Sequence, residues 1–160
     1  MTAATLLIAS GCAMLAPPSV SPGESETAIV ARMGRPSGVY QDGADRLLEY
    51  RTNPGGQQTW MVRLDASGRA RSIEQVLTSE KFATLRINQD RREDVLRKVG
   101  APYERSYLSI PELDVWTYMY KENGVWDRLM HIHFDRNGTL KMLMNARDYM
   151  RDPDPGGFGP

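Results

Sequence analysis

A chain of 160 residues is long enough for one domain or two very small ones. Its 20 Lys and Arg balance 20 Asp and Glu, so it lacks the basic excess or stripe of a nucleic-acid binder. The single cysteine, Cys12, excludes an intrachain disulfide, and no apolar run reaches the ~20 residues of a membrane-spanning helix.

The chain opens on an apolar stretch, residues 5–13, T-L-L-I-A-S-G-C-A, that runs through small residues into the cysteine. Ile8-Ala9-Ser10-Gly11-Cys12 resembles the lipobox of bacterial lipoproteins. The resemblance implies that residues 1–11 are a signal peptide cleaved after Gly11. It implies that Cys12 carries acyl chains, palmitate among them. With Ala13 in place of aspartate, it implies the periplasmic face of the outer membrane as destination. Each buried CH₂ contributes ~0.8 kcal/mol, and two chains are enough for stable anchoring. Residues 12–22 end in Ala16-Pro17-Pro18-Ser19-Val20-Ser21-Pro22, which predicts a stiff, polyproline-prone tether lifting the body off the lipid.

Two stretches then share one pattern. Residues 23–36 read G-E-S-E-T-A-I-V-A-R-M-G-R-P and residues 89–102 read Q-D-R-R-E-D-V-L-R-K-V-G-A-P. Ile29, Val30 and Met33 precede Gly34 at the spacings at which Val95, Leu96 and Val99 precede Gly100, and each set makes one apolar helical face. Ser25 is the expected N-cap of the first helix; Asp90 with Glu93 has the form of a capping box for the second. The glycines suit a C-terminal cap, and Pro36 and Pro102 stop the helices.

The first unit is placed at residues 23–78. A loop at 37–45 leads to a strand at 46–51, a turn at Asn53-Pro54-Gly55-Gly56, a strand at 58–65 and a third at 69–77. Trp60, Val62 and Leu64 form its buried face and Met61 and Arg63 the other. The second unit is placed at residues 79–150: a short connecting helix at 79–85, the capped helix at 90–99, a loop at 103–112, and strands at 113–120, 125–135 and 139–145. Leu48 and Tyr50 match Trp116 and Tyr118 at an offset of 68; Trp60, Val62 and Leu64 match Met130, Ile132 and Phe134 at 70. Residues 151–160, rich in Gly and Pro, read as a disordered tail. The expected fold class is α+β, two tandem units, each a helix followed by a three-stranded antiparallel meander.

With Gly23, Ile29, Gly34 and Pro36 followed by Leu48-Glu49-Tyr50, and Val95, Gly100 and Pro102 followed by Trp116-Thr117-Tyr118, the chain resembles the BamE-like (SmpA/OmlA) outer-membrane lipoproteins, in a tandem form. The resemblance implies a non-enzymatic assembly factor for outer-membrane β-barrels or envelope integrity, with barrel-assembly or other envelope proteins as partners, besides the lipid that holds Cys12. At the level of fold alone the tandem arrangement is also similar to the β-lactamase inhibitor proteins, so the alternative is a module that clamps a periplasmic enzyme.

His131, His133 and Asp135 alternate along one strand, the form of a two-histidine, one-carboxylate metal triad. Their counterparts Met61, Arg63 and Asp65 are no ligand set, and both aspartates open equivalent D-x-x-G turns where the side chain serves the backbone. A metal-dependent hydrolase is therefore set aside. No phosphate loop, nucleophile elbow or Cys-x-x-Cys is present, so no catalytic residue, metal or cofactor is expected. The expected contact residues are Met61, Arg63, His131 and His133, together with the loops at 37–45 and 103–112.

Overall fold

The computed structural model describes residues 18–51 and 56–151. The stretch expected to be a signal peptide, Cys12, the start of the expected tether, most of the Asn53-Pro54-Gly55-Gly56 turn and the expected tail beyond Arg151 lie outside the described residues. The fold is mixed α and β, mostly strand, with two four-stranded antiparallel sheets. In the first half, α1 (Glu26–Met33) precedes β1 (Gly38–Asp42), β2 (Asp45–Arg51), β3 (Thr59–Leu64) and β4 (Ala70–Gln75). In the second, α2 (Ser79–Phe82) and α3 (Arg92–Val99) precede β5 (Glu104–Leu108), β6 (Leu113–Glu122), β7 (Trp126–Phe134) and β8 (Leu140–Arg147). The strand order is sequential in both sheets.

Each sheet has one strand more than the three expected. The extra strands, β1 and β5, lie inside the stretches read as loops at 37–45 and 103–112. Both are edge strands of only five residues, largely polar and set among loop-forming glycine and proline. The helix caps also differ by one residue in the second half. Ser25 caps α1, its hydroxyl accepting from the Ala28 N–H at 3.3 Å. At α3 the carboxylate that reaches back is Asp94, accepting from the Arg91 N–H at 2.8 Å, and the Asp90–Glu93 pairing is not formed. Asp90 is instead fully buried, holding the Arg86 N–H at 3.0 Å and the Lys98 ammonium.

The start of each helix is sewn to the last turn of its sheet. Glu26 N–H donates to Gly68 O at 3.0 Å and Ala70 N–H to Glu24 O at 2.8 Å; Arg92 N–H donates to Gly138 O at 3.1 Å and Leu140 N–H to Asp90 O at 2.8 Å. Both turns are built by their aspartate: Asp65 accepts from the N–H groups of Ser67 and Arg69, and Asp135 from those of Asn137 and Thr139. Bonding this dense fixes the helix across one sheet face, where its apolar stripe is buried. Ile29 of α1 packs with Leu48, Tyr50, Val62, Leu64 and Ala70, with Trp60 only half-buried at the margin. Val95 and Val99 of α3 pack with a larger set including Trp116, Tyr118, Tyr120, Ile132 and Phe134. Full burial of each large side chain contributes about 1.5–3 kcal/mol.

Part of the stretch expected to be tether is folded. Val20 packs against the first core, and the Arg32 guanidinium donates to Ser19 O at 2.5 Å, so residues 19–20 belong to the folded body.

Candidate functional site

The four expected contact residues lie on the sheet faces opposite α1 and α3, but those faces meet different fates. On the first sheet, Met61 is 5% exposed and packs with Leu47 and Val76. Arg97 and Lys98 of α3 lie across from these three residues. Both faces of the central strands are thus covered, α1 on one side and the second half of the chain on the other, and Met61 is withdrawn from the surface. Arg63 is held by Asp42 at 2.8 Å and Asp45 at 3.2 Å, so its charge is largely matched within the sheet.

At the centre of this joint is a residue that sequence reasoning passed over. Glu49 is 0% exposed. Its carboxylate accepts from the Ala101 N–H, just past the end of α3, at 3.1 Å, from Arg51 Nε at 3.0 Å and from the Tyr40 hydroxyl. Burial first, then the hydrogen bond and charge of Glu49, push the Tyr40 hydroxyl far above its usual range. Tyr118 completes the contact by donating to Gly100 O at 3.0 Å. Gly100 has no room for a side chain: a Cβ there would lie 3.1 Å from Glu49 Cδ and 3.1 Å from Thr59 Cγ2. A cavity of about 410 Å³ beside the joint is lined by Arg51, Thr59, Leu77, Ala101, Tyr103 and Tyr118. The one available signal was an acidic residue in mid-strand between two core positions, Leu48 and Tyr50.

The equivalent face of the second sheet is covered only in part: Val115, Thr117, Met119 and His133 on it are buried, while its β8 side is exposed. Glu49 corresponds to Thr117 at the offset of 68, and Met61 and Arg63 to His131 and His133 at 70. Strand pairing sets Thr117 opposite His131, His131 opposite Met144, Val115 opposite His133, and His133 opposite Met142. Directly opposed residues point to the same side. The face therefore carries Val115, Thr117, Met119, Leu129, His131, His133, Met142 and Met144. Met142 and Met144 are 37% and 45% exposed. Along one side, Met119, Leu129, His131 and Thr117 line a groove of about 490 Å³, shared with Tyr103, Met150 and Arg151.

His131 is half-buried with Nδ1 3.0 Å from Thr117 Oγ1. His133, expected at the surface, is 4% exposed, and its Nδ1 has no hydrogen-bond partner. Burial lowers the pKa of both; Glu104 partly opposes this at His131, and the neighbouring His131 adds to it at His133. Burial therefore disfavours the imidazolium form of both rings. Asp135 does not join them, its carboxylate being taken up by the turn. Among the described residues no group of three or more His, Cys, Asp or Glu is placed to hold a metal, and no helix is long and apolar enough to cross a membrane. No protein-family model, curated protein or solved structure matches this chain.

Proposed function

We propose that the protein is a lipid-anchored binding module on the periplasmic side of the outer membrane, built from two tandem helix-plus-meander units of the BamE-like kind, and that it acts in barrel assembly or envelope integrity without catalysis. The observation that carries the binding reading is the exposed β8 side of this face, where Met142 and Met144 stand in solvent. The first sheet uses the corresponding face to hold α3 through Glu49, Leu47 and Met61. The second sheet offers the same face, with exposed methionines, to whatever the chain docks on. An array that ends on a binding-competent face calls for a partner there, as terminal units of repeat proteins do when they lack a polar cap. The tandem reading rests on the matched helix-to-turn bonds and on equivalent bulges at Arg63/Leu64 and His133/Phe134.

Two experiments test this. Cys12→Ser is expected to leave the protein in the soluble fraction; continued membrane association refutes the anchor. A photo-crosslinking residue at Met144 is expected to capture an outer-membrane or barrel-assembly component, and deletion to lower barrel levels or raise sensitivity to large antibiotics. Capture of one soluble enzyme, with normal barrel levels in the deletion, replaces assembly by the inhibitor reading.

A further inference from the structure

The partly exposed face carries more than docking surface. Its histidines and methionines stand in a two-by-two block: His131 opposite Met144 and His133 opposite Met142, with the rows two residues apart on adjacent strands. Opposed side chains on one face have Cβ atoms about 4.5–5.5 Å apart, and rows two residues apart are separated by about 7 Å. Donor atoms at the ends of side chains as long as Met and His converge across such spacings without backbone movement.

We propose that His131, His133, Met142 and Met144 form a binding site for a soft monovalent metal ion of the Cu(I) class. Thioether sulfur is a soft, weakly basic ligand that discriminates for Cu(I) against the harder divalent ions, and imidazole is compatible with it. His131 Nδ1 is 3.0 Å from Thr117 Oγ1; in the tautomer that donates Nδ1–H to this hydroxyl the Nε2 lone pair is free, the outer-shell arrangement that orients a metal-binding imidazole. His133 is nine-tenths buried and its Nδ1 has no hydrogen-bond partner among the described residues, which is costly for a polar atom unless something else satisfies it. Glu104, on β5 two strands away, adds a favourable negative field at His131. The first sheet has Met61 and Arg63 at the histidine positions, so the site is a property of the second sheet alone.

The test uses Ag(I), which is redox-inert and has the ligand preference of Cu(I), in chloride-free buffer on the full chain with Cys12→Ser, so that the thiol does not compete. Wild-type side chains at the block are expected to bind one Ag(I) per chain, shifting the Met142 and Met144 methyl resonances. Met142→Leu with Met144→Leu keeps the side-chain volume. It is expected to weaken Ag(I) binding at least tenfold with an unchanged far-UV spectrum, and His131→Asn to weaken it similarly. Zn(II) is expected to bind at least tenfold more weakly than Ag(I). Absence of stoichiometric binding, binding that survives both variants, or methyl shifts confined to other methionines overturns the proposal. Purified protein suffices for these measurements, so their outcome is independent of any envelope partner.

Discussion

Replacing Glu49 by alanine tests whether the joint is held by its buried carboxylate. The substitution leaves the Ala101 N–H without an acceptor in a buried position, a cost of about 1–3 kcal/mol. It also leaves the Tyr40 hydroxyl without its partner and opens a void beside Gly100. Arg51 adds little, because its side chain is 37% exposed and water replaces the lost charge partner. Together these predict a loss of about 2–4 kcal/mol, close to the range for breaking a buried charged pair. Glu49→Gln keeps the volume and an oxygen for Ala101, and is expected to cost about 1 kcal/mol. Urea unfolding followed by far-UV circular dichroism gives the stability change. Tryptophan fluorescence reports Trp60 in the first half and Trp116 and Trp126 in the second. Glu49→Ala is expected to separate the two signals, the first half unfolding earlier. A loss under about 0.5 kcal/mol, with coincident transitions, would show that apolar contact alone holds the joint.

Ile132→Ala or Phe134→Ala, both at fully buried positions, is expected to lower stability by about 2–5 kcal/mol in the same assay. Gly34 and Gly100 share a backbone conformation, φ 81° and 78° with ψ near −170°, that only glycine adopts readily. Gly34→Ala should cost about 1–3 kcal/mol for strain alone, since open space surrounds it; Gly100→Ala should cost more, because its Cβ meets Glu49 and Thr59. At Asp90 burial works against the carboxylate, but its bonds to Lys98 and Arg86 outweigh that and hold its pKa below the unfolded value of about 3.9. The stability it contributes is therefore complete above that value and lost as pH falls through the folded pKa. Asp90→Asn should flatten the decline in urea midpoint below about pH 4, and an unchanged slope would count against this.

The elements with strong local signals were readable from the sequence. The apolar spacing before Gly34 and Gly100, the alternation from Trp60 to Leu64 and the D-x-x-G turns each follow from short-range chemistry. The edge strands β1 and β5 were not, because G-V-Y-Q-D and E-R-S-Y-L are only five residues long, largely polar and set among loop-forming glycine and proline. The candidate face was half readable. Alternation put Met61, Arg63, His131 and His133 on the correct sides of their sheets, but it is blind to what covers a side. Met61 lies under α3, a contact between residues distant in sequence, while His131 keeps an open side. The same blindness hid Glu49, whose partner is a backbone N–H 52 residues away.

The docking of Ser19 and Val20 onto α1 has a geometric consequence for any lipid at Cys12. Seven residue steps separate Cys12 from Ser19, so the leash spans at most about 25 Å fully extended. A folded body of this size is itself roughly 35–40 Å across. The leash is shorter than the object it holds, so the protein would ride against the bilayer surface and sweep only a thin shell of periplasm. Partners projecting far from the membrane would be out of range. Those whose rims or soluble domains lie at lipid level would be met repeatedly, in a narrow set of orientations.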